Sequence, residues 1–279
     1  MKKVCSVSGG RTSAYLAANY EWDSLVFALV RLEDEKCRFP DETTRKMIED
    51  RLGVPFIGTA EDDMIIYTML ELEQFLGREI KWVTGPTFEW VLKNRGGWLP
   101  NVLHRYCTTH LKLEPIFYWW AEKYQRIPVE MGIGYRANEN NRVETMLEAC
   151  NADGLNMFDG TFEKNKRGQN KWERNIPWRK PIFPLFYERI FADEIAEYWS
   201  DKPVPFADYN NCTFCFHRKA AFLRYMYEQH PAKIQWASDQ EGGKNGYWKE
   251  DVSYKKIIDS NLQLRLFDIG GCDSGFCEP

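Results

Sequence analysis

Short apolar runs alternate with longer amphipathic stretches through the first part of the chain. Residues 4–7 form an apolar run after two lysines and predict a strand, and residues 12–20, rich in Ala and Leu, predict a helix. Residues 25–30 predict a second strand, 40–52 a second helix with Asp41 near its start, and 54–57 a third short strand. Short apolar strands separated by helices indicate a parallel sheet covered on both faces. Residues 61–100 read as mostly helical with Gly-Pro and Gly-Gly breaks, 112–124 as an aromatic-rich helix, 128–133 as a strand and 190–199 as a helix. Residues 151–180 are polar and rich in Gly, Asn and Lys, which predicts a long exposed excursion. The expected fold is α/β, a doubly wound parallel sheet over residues 1–203. An irregular, cysteine-containing C-terminal module and tail is expected to follow over 204–279.

Composition narrows the function classes. The chain has 279 residues, 44% of them hydrophobic, so disorder throughout is excluded. No run approaches the roughly 18 apolar residues of a membrane span, and the N-terminus reads as a strand rather than an export signal. The expected location is therefore the cytoplasm, with no membrane partner. A net charge of −4 excludes a globally basic nucleic-acid coat but not a local basic groove. The eight cysteines, expected in a reducing compartment, point to metal binding or redox chemistry more than to disulfides.

Three segments carry candidate chemistry. Ser8-Gly9-Gly10-Arg11-Thr12-Ser13 lies between the first strand and first helix. Paired glycines let backbone amides converge on one anion, the helix adds its positive end, and Ser8, Thr12, Ser13 and Arg11 can donate to phosphate oxygens. A plain Gly-Gly turn with a helix cap is the competing reading. Gly132-Ile133-Gly134-Tyr135-Arg136-Ala137-Asn138-Glu139-Asn140-Asn141-Arg142 follows the 128–133 strand. Arg136 and Arg142 suit phosphate or sulfate oxygens, with Glu139 orienting one of them. Cys212-Thr213-Phe214-Cys215 is a CxxC, read as a zinc half-site, a redox pair or cluster ligands. Cys107 stands 105 residues upstream of Cys212.

In this order the segments resemble the PP-loop adenine nucleotide alpha hydrolase superfamily, and within it the phosphoadenylyl-sulfate (PAPS) reductase family. Residues 8–13 resemble its SGGKDS loop, with Arg11 for Lys and Thr12 for Asp. The latter removes a carboxylate that could serve Mg2+. Phe39-Pro40-Asp41-Glu42-Thr43 resembles its F-P-E-T segment, residues 132–142 its G-x-R-x-x-E-x-x-R stretch, and Pro184-Leu185-Phe186 its P-L-x-x-W segment. Cys107, aligned on Lys112 and Pro115, matches the first cysteine of its C-C-x-x-R-K-V-x-P segment, and Thr108 replaces the second. The resemblance implies an enzyme binding ATP or a sulfonucleotide. It also implies a 4Fe–4S cluster on Cys107, Cys212 and Cys215, with the fourth position open or filled by Cys272, Cys277, His110 or His217. Zinc on Cys107, Cys212, Cys215 and His217 is the rival. The implied chemistry is adenylyl and sulfur transfer, with a nucleic-acid acceptor as one candidate. The alternative is sulfonucleotide reduction with a thiol reductant protein, in which Cys272 or Cys277 is the nucleophile. A reading from another class is a zinc-stabilised nucleic-acid-binding module, using Lys164, Lys166, Arg167, Lys171 and Arg174 with Trp172 and Trp178 as a basic-aromatic groove.

Overall fold

The computed structural model of the chain describes residues 1–210 and 212–263. Its strands are β1 (Lys3–Val7), β2 (Ser24–Ala28), β3 (Arg31–Leu32), β4 (Gly58–Thr59), β5 (Ile80–Val83), β6 (Val129–Gly132), β7 (Asn156–Lys164) and β8 (Asn170–Ile182). The first helices are α1 (Arg11–Asn19), α2 (Glu42–Leu52), α3 (Met64–Leu76) and α4 (Phe88–Asn94). After them come α5 (Tyr106–Thr108), α6 (Glu114–Lys123), α7 (Asn140–Glu148), α8 (Pro184–Tyr187) and α9 (Ala192–Trp199). The C-terminal helices are α10 (Ala220–Gln229), α11 (Pro231–Asp239) and α12 (Tyr254–Ile258).

Six strands form one sheet in the order β5-β2-β1-β6-β8-β7. Every neighbouring pair is parallel except the β7–β8 hairpin. The α/β architecture is thus a mostly parallel sheet flanked by helices. Its strands read as unbroken apolar runs because both faces are covered. Leu25 and Phe27 of β2 pack among residues of α1, α2, α3 and α9, whereas Val26 and Ala28 pack against Phe117, Trp120 and Trp178.

Three expectations need correction. Residues 54–57 do not form a strand; β4 starts just beyond them and pairs antiparallel with β3, outside the main sheet. The outer strand on that side is β5, hidden within the stretch read as helical. Its four residues, only Lys81 of them exposed, are too few for a periodic signal. The polar excursion of 151–180 is largely the β7–β8 hairpin, and β8 joins the sheet beside β6. Its exposed charged tip masks the inner alternation of Ile176 and Trp178, both buried.

The C-terminal segment, over its described residues 204–210 and 212–263, sets three helices among loops. Its helices α10–α12 close with α4 over an aromatic core in which Phe88, Phe214, Trp236 and Trp248 meet at ring-centroid distances of 5.0–6.5 Å. Such ring pairs add to ordinary area burial. Among the described residues, no helix is long and apolar enough to cross a membrane.

Candidate functional site

From β1 the chain builds β2 and β5 on one side, then returns with β6 on the other. The carboxyl ends of β1 and β6 therefore border the point where strand order reverses, the usual ligand crevice of open α/β sheets. Both glycine-rich segments emerge there. Gly9 has φ +77°, and a Cβ on it would lie 2.5 Å from Ile65 Cγ2. Gly10 precedes α1, which carries no side-chain cap, so its first-turn amides are left for another acceptor. Ser13 ties the turn together: its Oγ accepts from Ser8 N at 3.0 Å and donates to Gly10 O at 3.1 Å. On the β6 side, Gly134 runs against this helix start, and a Cβ there would sit 3.4 Å from Ser13 N and Thr12 Cγ2. Gly132 serves packing instead, since a Cβ there would lie 2.1 Å from the Trp22 ring.

A cavity of about 590 Å³ opens at this point. Ser8, Gly10, Thr12 and Ser13 form its loop wall, and Tyr135, Glu139 and Arg142 face it from the β6 side. Gly9, Arg11 and Arg136 do not line it. The exposed Arg11 guanidinium lies 5.3 Å from the Phe206 ring centroid. Arg136 is buried and works from beneath: its N and Nε donate to Glu139 Oε2 at 2.8 and 3.2 Å. Arg142 donates to Glu139 Oε1 at 2.5 Å and lies over the Tyr135 ring at 4.2 Å. Glu139 thus holds two guanidiniums in fixed positions, which removes the rotamer freedom each would lose on meeting an anion.

The cysteine segments close the far wall. Arg105, Thr108 and Thr109, which flank Cys107, line the cavity, as does Asn210, two residues before Cys212. A Cβ on Gly10 would lie 2.4 Å from Asn210 Nδ2, so the CxxC approach packs directly on the loop. Buried Arg218 fixes that backbone by donating to Asn210 O at 2.6 Å and Cys212 O at 3.3 Å. Asn210 Oδ1 is buried without a hydrogen-bond partner, an acceptor that a donor group in the cavity would satisfy. Between α5 and α6 the helix makes a π-helical turn, Thr109–Leu113, a rare distortion that recurs at functional sites.

Cys107, Cys212 and Cys215 form no disulfides. Burial pushes the Cys107 thiol up, and pushes that of Cys212 well above its ordinary range. Cys215 and Cys107 are near enough to Cys212 to raise it further, while Lys112 opposes them. Lys112 also donates to the buried Glu61 Oε1 at 2.6 Å, and Glu61 bridges to Cys212. Among the described residues, no three His, Cys, Asp or Glu side chains converge closely enough to hold a metal ion. Of the histidines considered as a fourth donor, His110 has both ring nitrogens engaged, by Glu114 at 2.8 Å and Arg95 at 2.6 Å. His217 Nε2 is buried without a partner. Burial first, then Arg105 and Lys249, pull this imidazole down to about 4, so it stays neutral. Cys272 and Cys277 lie outside the described residues. In the hairpin, Trp172 and the basic residues are exposed, but Trp178 is fully buried. Lys171 and Arg174 pair with Glu163 and Asp159.

Sequence reasoning missed Asn210, Glu61 and Arg179, a buried cavity-lining arginine on β8. Asn210 stands close to a CxxC, which is a weak signal; the other two belong to no motif. Compared with family models and with curated proteins, the chain matches none.

Proposed function

We propose that the chain is a PP-loop enzyme of the PAPS reductase-like type. It binds an adenine nucleotide in the cavity over Ser8–Ser13 and carries out ATP-dependent adenylyl and sulfur transfer. One observation carries the reading: a single cavity is walled by the first-strand loop, by the Glu139–Arg142 pair and by the segments bearing Cys107 and Cys212. The loop amides, the Ser8 and Thr12 hydroxyls and Arg142 hold phosphate oxygens. An acceptor oxygen attacks the α-phosphorus; its P–O bond forms as the α–β bridging P–O bond breaks, and pyrophosphate leaves along the loop. A sulfur nucleophile then displaces AMP from the acceptor. Arg142, already oriented by Glu139, offsets the charge developing on the phosphates.

The donor chemistry of the cysteine segments suits iron or zinc, since thiolates are soft ligands. Burial first, and the neighbouring Cys215 and Cys107 in part, oppose ionisation of Cys212, an effect that a cation would offset. The three thiols do not converge closely enough in this structure, so Cys107, Cys212 and Cys215 would have to draw together to hold the metal, with His217 as the fourth donor for zinc or the fourth position left open. A 4Fe–4S cluster there would supply an iron able to bind sulfur. Incubation with ATP and candidate acceptors, set against phosphoadenylyl sulfate with thioredoxin, tests the reading. AMP and pyrophosphate release in the first arm supports it. Sulfite release confined to the second arm replaces it with a reductase. Iron, sulfide and zinc analysis after anaerobic purification identifies the metal, and one zinc without nucleotide affinity favours the nucleic-acid-binding module.

A further inference from the structure

Arg179 is 7% exposed, yet it lines the same cavity as the loop. Its Nε donates to Asn156 Oδ1 at 3.1 Å. Its Nη1 and Nη2 face only the thioethers of Met131 at 3.4 Å and Met146 at 3.9 Å. The plane also lies over the ring of its neighbour Trp178 at 4.5 Å. All of these partners are neutral, and among the described residues no carboxylate contributes to its electrostatics. Burial pulls the guanidinium down to about 10. A guanidinium has five N–H donors. One goes to an amide oxygen and two to weak sulfur acceptors, which leaves one on each terminal nitrogen, the arrangement that grips an oxyanion with two parallel bonds.

Two other buried arginines of this region serve the fold and do not line the cavity, and one of them, Arg218, donates to the Asn210 and Cys212 carbonyls. The other, Arg136, meets Glu139 through its guanidinium Nε and its backbone N. Burying an uncompensated charge disfavours folding, so such a group persists where something else is served. Thr145 and Met146 of α7 and the following Ala149 line the same cavity, and Arg179 pairs with Val129, three residues before the end of β6. Arg179 is therefore set deeper in the sheet than the loop that follows β1.

We infer that Arg179 is a second anion receptor, at the inner end of the cavity, for an oxyanion carried by the co-substrate rather than by the nucleotide phosphates. The co-substrate class is a small molecule bearing a carboxylate or a tetrahedral sulfur or phosphorus oxyanion. The inference rests on the proposed nucleotide reading only for what fills the loop end.

Calorimetric titration with sodium acetate, sulfate and phosphate, each with and without saturating ATP, tests it on the wild type, Arg179→Met and Arg179→Lys. The expected result is one site for at least one of these anions in the wild type with ATP present. That affinity falls at least thirtyfold in Arg179→Met, a loss at least tenfold larger than any loss for ATP, with part of it restored in Arg179→Lys. The preferred anion distinguishes a carboxylate from a tetrahedral group. Equal anion affinity in the wild type and Arg179→Met overturns the inference, as does anion binding that vanishes when ATP fills the loop. If ATP fails to bind while sulfate or acetate binding depends on Arg179, the nucleotide reading falls and this one stands. Circular dichroism verifies folding, and Arg179→Gln replaces Arg179→Met if the latter does not fold.

Discussion

The two ends of the cavity are built on opposite principles. At the loop end, the turn is closed by its own hydrogen bonds, and the arginine facing it is matched by a carboxylate. At the inner end, a single guanidinium stands among two thioethers and an amide. The first end has its facing arginine paired before any ligand arrives and presents first-turn amides beside a positioned cation. The second is satisfied only when an anion enters. A local motif can build the former, because its parts are neighbours in sequence. The latter needs β6, β8 and α7 to meet.

The largest expected effect lies at the loop end. Arg142→Ala leaves Glu139 with one partner fewer and removes the cation from the cavity. ATP affinity should fall about 100-fold, or about 2.7 kcal/mol, measured by calorimetry. An unchanged affinity would mean that the phosphates do not reach this arginine. Arg179→Met acts on the other end with the opposite sign. Replacing an unpaired buried charge by an apolar side chain of similar length should stabilise the ligand-free protein by about 1–2 kcal/mol. A scanning calorimeter would read that as a rise in Tm of a few degrees, of the order expected for this chain length. A clear fall in Tm would show that Arg179 is a structural group.

Much of the loop end was legible in the sequence, and the inner end was not, for a physical reason. Gly9, Gly10 and Ser13 act within a few residues of one another, so their spacing carries the turn. The Glu139 fork spans only residues 136 to 142. Arg179 lies in a polar stretch that resembled an excursion, and its burial depends on pairing with Val129 and Asn156 across the sheet. The hairpin was missed because most of its length faces solvent. Arg11 stands in the loop where a phosphate partner is expected, and its guanidinium lies over Phe206, a contact no local pattern encodes.

Acid provides a test away from either end. Burial works against the Asp62 carboxylate, but hydrogen bonds from His230 and Met64 N, with Lys233 nearby, hold it below its ordinary value. This group joins the start of α3 to α11. A carboxylate depressed in the folded state adds stability that is present above its unfolded value near 3.8. That stability is lost as pH falls through the lower folded value. Denaturant melts at falling pH should show the loss below about pH 4, and Asp62→Asn should flatten it. A variant that keeps the full acid dependence would exclude this contact as its source. The smallest effect belongs to the hairpin tip. Trp172→Ala, at an exposed position, should alter stability by less than about 0.5 kcal/mol. It should also leave ATP affinity unaltered, unless the hairpin closes over the bound nucleotide.

The central claim is that the opening turn cradles a nucleotide beside the cysteine segments. ATP titration by calorimetry, comparing the wild type with Gly10→Leu, tests it most directly, because a side chain at position 10 must collide with Asn210 where the two segments meet. One ATP per chain bound by the wild type, with loss of at least tenfold in a Gly10→Leu variant that still folds, is the predicted result. Equal ATP binding by both proteins, or none by the wild type, would contradict it.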